Sequence, residues 1–298
     1  MYDIVILTQE RYINPKKNNW YTNQVLIEED ILIKNLKSKG LKVCKKYWFD
    51  KEFDWNTTKY AIFRTTWDYF EKIKEFKSWL NETKNKTEFI NSYEVINWNL
   101  DKKYLNYLAN KGVNIASTIF IKKRENITLS KLFKKTNFNK AVIKPCISGA
   151  ALDTYKIDSS KTKEYEVLFN KLIQKKSFIF QEYLENITKK GEISLIMING
   201  QYTHAVKKIA KKGDFRVQDD HGGIVEKYIA KSNEIKFAKR CLEKCPFKTA
   251  YARVDLVYDN NNEISLSELE LIEPELWFRN NKDSAKKLSD YIYKKMRL

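Results

Sequence analysis

The chain has 298 residues, 43% of them apolar, and 56 lysines and arginines against 38 aspartates and glutamates, a formal net charge of +18. This size allows two or three domains with cores of their own and excludes a fold that depends on disulfide staples. Only four prolines and eight glycines leave no long flexible linker, and four cysteines without a CxxC, beside two histidines, make a zinc cluster or disulfide framework a poor fit.

The first residues, "MYDIVILTQE", lack a basic leader and carry only a short apolar run, so they are expected to form a strand rather than a signal peptide. Nothing in the chain approaches a membrane span, and free thiols fit a reducing cytoplasm. Residues 24–39 place Val25, Ile27, Ile31, Leu32 and Leu36 at helical spacing, with Gly40 as the stop. "LKVCKKYW" and "KYAIFR" are further strands, and strand–helix–strand order predicts a parallel sheet. A helix over 101–111 closes on Gly112. "IASTIFI", "KAVIKP" and "ALDTYKI" are strands, with helices at 129–136 and 161–175, followed by the strand "SFIFQEYL". Asn199-Gly200 between "EISLIMIN" and "QYTHAVKKI" is a hairpin signal. A helix at 231–244, with Cys241 and Cys245 as buried thiols on its apolar face, a hairpin at 250–273 and a helix at 282–296 complete the chain. Three units are expected: 1–97, 98–180 and 181–298.

The hairpin "YARVDLVYDNNNEISLSELELIEP" concentrates negative charge in a basic chain. Side chains repeat every two residues along a strand, so Arg253 and Asp255 share one face, and Glu268 and Glu270 share another. A turn near Asn261 and Asn262 brings Asp255, Glu268 and Glu270 onto one patch, with Leu269 and Leu271 behind. Converging carboxylates need a counter-charge. Either a hard divalent cation such as magnesium or ion-paired lysines and arginines would supply it. Lys144 stands at a strand end before a small-residue loop containing Gly149, where it can donate to phosphate. One connection, "KKGDFRVQDDHGG", holds Arg216, Gln218, His221, Gly222 and Gly223; the arginine suits an anionic oxygen and the glycines allow close backbone approach. In "RTTWDY", Arg64, Trp67 and Tyr69 suit either a substrate wall or a core.

In their order, "LDKKYLNYL", "AVIKP", "FIFQEYL", "GEISLIMINGQYTHAVKKIAKKGDFRVQDDHGG", "YARVDLV" and "ELELIEP" resemble the ATP-grasp superfamily of carboxylate–amine ligases across residues 98–280. The central stretch is similar to the glutathione-synthetase-like branch that includes the cycloserine-forming ligase, and "FRTTWDY" to that branch's N-terminal signature. The resemblance implies an α/β protein of ATP-grasp fold: an N-terminal parallel-sheet domain on the substrate side, then two α+β lobes that clamp ATP. It implies ATP and Mg2+ as cofactors. It assigns Lys102 (or Lys103) and Lys144 to nucleotide contacts, Gln181, Glu182, Tyr183 and Leu184 to the adenine hinge, and Glu192 or Glu185 to the ribose. Lys208 and Arg216 face the γ-phosphate and acyl group, with Lys144 and Arg216 catalytic. Asp255, Glu268 and Glu270 are the metal ligands. Arg64, Trp67, Arg216, Gly222 and Gly223 are the substrate side. One departure is that many members have Glu-x-Asn where this chain has Glu268-x-Glu270, which leaves Glu273 open as the alternative ligand.

The implied activity is amide or peptide bond formation through an acylphosphate, intermolecular or by cyclisation, on amino acid or small peptide substrates. The basic balance favours acidic ones. No membrane partner is expected, nucleic acid is not favoured because the lysines are spread along the chain, and a homodimer is left open. The competing readings are a basic nucleic-acid-binding protein, a relative that has lost catalysis, and a phosphotransferase.

Overall fold

The apolar run at the start of the chain becomes the interior strand of a parallel sheet, buried on both faces as such strands are. The protein is described over residues 1–16, 19–217 and 222–297 in a computed structural model. The first sheet contains β1 (Tyr2–Thr8), β2 (Val43–Tyr47), β3 (Thr58–Thr65) and β4 (Glu88–Ile90) in the order β2-β1-β3-β4, all parallel. Its crossovers are α1 (Trp20–Lys37) and α2 (Ile73–Thr83). Helix α1 starts where Asn19 accepts a hydrogen bond from the Thr22 N–H at 2.9 Å, an N-cap. Two short helices, α3 (Tyr93–Asn99) and α4 (Tyr104–Asn110), lead away from this sheet.

The second sheet is antiparallel, ordered β5-β8-β6-β7. It is built from β5 (Thr118–Ile121), α5 (Leu129–Thr136), β6 (Lys140–Pro145), β7 (Tyr155–Asp158), α6 (Thr162–Lys175) and β8 (Phe178–Glu182). The expected strand "ALDTYKI" begins only at Tyr155, because Ala150, Ala151 and Asp153 take positive φ in a turn. Gly149 opens that turn. A Cβ there would stand 2.6 Å from the Phe70 ring, so only glycine lets the loop lie against the first domain.

After α7 (Asn186–Lys189), the third sheet runs β11-β10-β9-β12-β13. Its strands are β9 (Glu192–Ile198), β10 (Gln201–Ile209), β11 (Ile224–Tyr228), β12 (Tyr251–Tyr258) and β13 (Ile264–Glu270), with helices α8 (Ser232–Glu243) and α9 (Lys282–Lys295). Asn199 and Gly200 both have positive φ, as the two-residue hairpin requires. Cys241 is buried and Cys245 half-buried, both thiols free, and burial pushes them up to about 12 and about 11. Elements α2, β4, α3, α7 and β11 had no counterpart among the expected ones. The unit limits expected at 97 and 180 pass through α3 and β8. Among the described residues no helix is long and apolar enough to cross a membrane.

The first and third sheets share one core. Ile4 and Ile6 of β1 and Leu32 and Leu36 of α1 pack with Ile196 and Ile198 of β9 and with Leu288 and Ile292 of α9. Polar groups lock the same seam. The Asn91 amide donates to the carbonyls of Tyr251 (2.8 Å) and Leu271 (2.9 Å), and its oxygen accepts from the Ala250 N–H. The outer edge of β13 is sealed by side chains: Tyr104 Oη accepts from Leu269 N–H, and Asn99 bonds both Leu269 O and Leu271 N. Such edges otherwise invite pairing with another chain. Replacing Asn91 by alanine strands several buried backbone groups, so urea unfolding of Asn91→Ala should show a loss of about 3 kcal/mol.

Candidate active site

Strands β12 and β13 place the acidic residues. Their register pairs Arg253 with Glu270 and Asp255 with Glu268, and a bulge follows, because Leu256 pairs with Leu266. Directly opposed residues in an antiparallel pair share a face, so all four side chains point the same way. One carboxylate oxygen from each of Asp255, Glu268 and Glu270 lies within 4.8 Å of the others. Glu273, the alternative to Glu270 in the sequence, is not part of that group.

Cations from distant elements meet these carboxylates. Lys102 Nζ, ahead of α4, reaches Glu268 at 2.9 Å and donates to the Ser148 carbonyl at 2.9 Å. Lys208 on β10 reaches Asp255 at 3.2 Å and also pairs with Glu192. Arg253 contacts Asp255 at 2.9–3.1 Å and bridges to Glu270. Ser194 donates to Asp255 at 2.6 Å. Burial alone would raise Asp255, but Arg253 and Lys208 outweigh it and hold the carboxyl at about 2. Glu268 is lowered too, with Lys102 and Lys144 overcoming its burial. Glu270 goes the other way: burial, with Glu268 and Asp255 adding repulsion, outweighs Arg253 and pushes it up to about 7. Lys102 and Lys208 lie above the ordinary lysine value because their carboxylates overcome burial. Lys144 is lowered by burial and by Lys102 beside it, and no ion pair joins it to a carboxylate among the described residues.

All of these charged side chains open into one cavity of about 590 Å³ between the three sheets. At one end Val142, Leu184, Ile187 and Leu269 form apolar walls beside the main chain of Gln181, Glu182 and Tyr183. Gln181 donates to Thr118 Oγ1 at 2.9 Å, Glu182 accepts from Asn260 at 2.9 Å, and the Tyr183 ring meets Phe215 edge-on. This end suits a flat aromatic group. The middle holds Lys102, Lys144, Lys208 and Arg216, the last paired with Asp214 at 2.7 Å. The other end is walled by Trp67, Tyr69, Glu273 and Trp277 from the first domain and the segment after β13.

Several expected residues fall outside this space. Arg64 is 1% exposed and does not line the cavity. Its guanidinium donates to the Pro274 carbonyl at 2.8 Å and lies over the Tyr251 and Phe278 rings, so it is a seam residue rather than a substrate contact. Gly222 and Gly223 do not line the cavity. Lys103 is exposed and turns to Asp101, and Glu185 pairs with Lys140 away from the cavity, which leaves Lys102 and Glu192 as the inward members of those alternatives. Gln218 and His221 lie outside the described residues. Ser194 and Asn99 carried no signal in the sequence, since each acts on a strand far away in the chain. Arg253 was visible only as a counter-charge.

The family model described as RimK-like ATP-grasp domain matches residues 101–274, and the one described as the N-terminal domain of D-cycloserine synthetase DcsG matches residues 4–91. The chain is 24% identical over 264 residues to the cycloserine biosynthesis protein DcsG of Streptomyces lavendulae, covering 84% of this chain and 87% of that protein. In fold it is similar to the crystal structure of D-cycloserine synthetase DcsG, with a TM-score of 0.84, 21% identity and coverage of 98% and 99%. D-alanine–D-alanine ligase from Bacillus anthracis follows at a TM-score of 0.68, 14% identity and coverage of 100% and 98%.

The raised position of Glu270 has a measurable consequence. A carboxyl with an ordinary value of 4.5 in the unfolded chain and about 7 in the folded one binds its proton more tightly when folded. Its share of stability is therefore present below pH 4.5 and is lost as pH rises to 7. In metal-free buffer, Glu270→Gln should match wild type near pH 4.5 and exceed it by the order of 2 kcal/mol at pH 8, read by denaturant unfolding at both pH values.

Proposed function

The chain belongs to the RimK-like ATP-grasp family of ligases, and from that footing we propose that it joins a carboxylate to an amine through an acylphosphate, using Mg-ATP and an amino acid or small peptide as substrate. It is an ADP-forming carboxylate–amine ligase by family. The observation that carries the finer reading is one cavity holding the Asp255–Glu268–Glu270 group against Lys102, Lys144 and Lys208.

The donor set fits magnesium: three carboxylates with oxygens within 4.8 Å offer the hard ligands that ion takes, leaving room for phosphate oxygens. Bound there, the ion would neutralise phosphate charge and polarise the γ-phosphoryl group. The chain's own groups do the rest. The Gln181–Leu184 main chain and the apolar walls hold the adenine. Lys144, half-buried without an ion-pair partner among the described residues, takes its counter-charge from the polyphosphate, while Lys102 and Lys208 hold the same chain of charges from the other side. Glu192 stands beside Lys208 and orients it.

In the first step a substrate carboxylate oxygen attacks the γ-phosphorus, and the bond to ADP breaks. Arg253 and Arg216 face the phosphoryl and acyl oxygens, where charge builds in the transition state. In the second step an amine nitrogen attacks the acyl carbon, phosphate departs with the bonding electrons, and the proton that the nitrogen gives up passes to that phosphate. The Ser148–Gly149 loop, docked on Phe70, keeps water from the acylphosphate. The central carboxylates are out of place on a polynucleotide-binding surface, which favours the ligase over the nucleic-acid reading.

ADP release should depend on magnesium and on a particular carboxylate and amine drawn from a panel of amino acids and dipeptides. Glu268→Gln should lower kcat/KM for ATP by at least about 100-fold. Wild-type protein that binds no Mg-ATP in calorimetry would sink this function.

A further inference from the structure

Acidic side chains around the cavity come with partners. Asp255 has Lys208 and Arg253, Glu268 has Lys102, Glu270 has Arg253, Glu192 has Lys208, and Glu275 has Arg279. Glu182, at the adenine end, is met by Asn260, and Glu71 is exposed to water. Glu273 differs from all of them. No lysine or arginine among the described residues makes an ion pair with it, and its carboxylate is served by the Tyr69 hydroxyl, which donates to it.

Its place is not accidental slack. Trp67 Nε1 donates to the Glu273 carbonyl at 3.0 Å, Arg64 donates to the Pro274 carbonyl at 2.8 Å, and the Leu276 N–H donates to the buried Glu28 at 3.2 Å. Three anchors from the first domain thus fix the segment that carries Glu273, and the side chain lines the cavity beside Trp67 and Tyr69. A carboxylate drawn out of water without a counter-charge is costly. Burial, with Glu270 and Glu268 nearby, pushes Glu273 up to about 8. The protein has built a fixed position for this group and given it no ion-pair partner among the described residues.

Lys144 is the mirror case, a half-buried cation that makes no ion pair among the described residues and lines the same cavity. The two groups without ion pairs among the described residues mark the polarity of what fills the space, anion at Lys144 and cation at Glu273. We propose that Glu273 is the specificity residue for the amine-bearing substrate, its carboxylate receiving the ammonium group of a small amino compound against the Trp67 and Tyr69 rings. An ammonium there answers the carboxylate directly and gains from the indole face. This rests on the ligase reading above, and it adds that the nucleophile's site selects positive charge although the chain as a whole is strongly basic. The local wall, not the net charge of +18, sets what this end accepts.

Two probes of one skeleton test it: alaninamide, which carries the ammonium, and propionamide, which lacks it. Binding is read by saturation-transfer NMR with magnesium and a non-hydrolysable ATP analogue present. Alaninamide should bind wild type and propionamide should not. Glu273→Gln should weaken alaninamide by about tenfold or more, and Glu273→Asp should recover part of the loss. Analogue affinity and its magnesium dependence should be unchanged in Glu273→Gln, which also shows that the variant is folded. Equal alaninamide binding by wild type and Glu273→Gln overturns the proposal, as does propionamide binding as well as alaninamide, or no alaninamide binding by wild type. A changed magnesium dependence overturns it too, since Glu273 would then be a metal ligand. Failure of wild type to bind the analogue is a separate result: it removes the ligase reading, and the alaninamide comparison without nucleotide still decides Glu273.

Discussion

Three carboxylates on one face of a β-hairpin repel one another, and cancelling that repulsion organises the rest of the molecule. Asp255, Glu268 and Glu270 cannot be spread apart, because the register of β12 and β13 sets them side by side. Relief must come from outside the hairpin. Lys208 arrives from two strands away in the same sheet, and Lys102 arrives from the connection between the first domain and the second sheet. Only Arg253 is local. Relief is incomplete, since Glu270 still lies well above the ordinary carboxylate range. A divalent cation bound there, as proposed above, would remove that residual repulsion and so stabilise the fold.

Holding opposed charges in place requires a rigid frame, and the seam between the first and third sheets is that frame. The two ends of the chain share a hydrophobic core, so the first domain is not an appendage. Asn91, Tyr251, Arg64 and Glu28 add polar fastenings across the same seam, all four gripping the segment after β13. Because that segment also walls the cavity, packing far from the chemistry decides where Glu273 and Trp277 stand. The second sheet touches this frame differently, through the Ser148 carbonyl on Lys102 and the close approach of Gly149 to Phe70.

Much was legible from residue order. The parallel start, the Asn199-Gly200 hairpin, and the helices at 129–136, 231–244 and 282–296 follow from periods and turn residues that act over a few positions. The shared face of Asp255, Glu268 and Glu270 follows from the two-residue repeat of strands, although the bulge that aligns Asp255 with Glu268 does not. The strand expected over "ALDTYKI" shortened because positive φ at Ala150, Ala151 and Asp153 carries no strong local signal in those residue types. Arg64 read as a substrate contact because an arginine beside aromatics looks the same in a pocket wall and in a sealed seam.

What the sequence alone determined is thus the family's order of motifs, the parity of the acidic strands and the presence of a lysine at the end of β6. Tertiary structure decided which cation meets which carboxylate, that Glu270 rather than Glu273 joins the acidic group, and that Arg64 is withdrawn from the cavity. The reason is range. Backbone periodicity is enforced by neighbours along the chain, whereas an ion pair between Lys102 and Glu268, or a carboxylate such as Glu273 left without one, exists only after distant strands and helices have packed against each other.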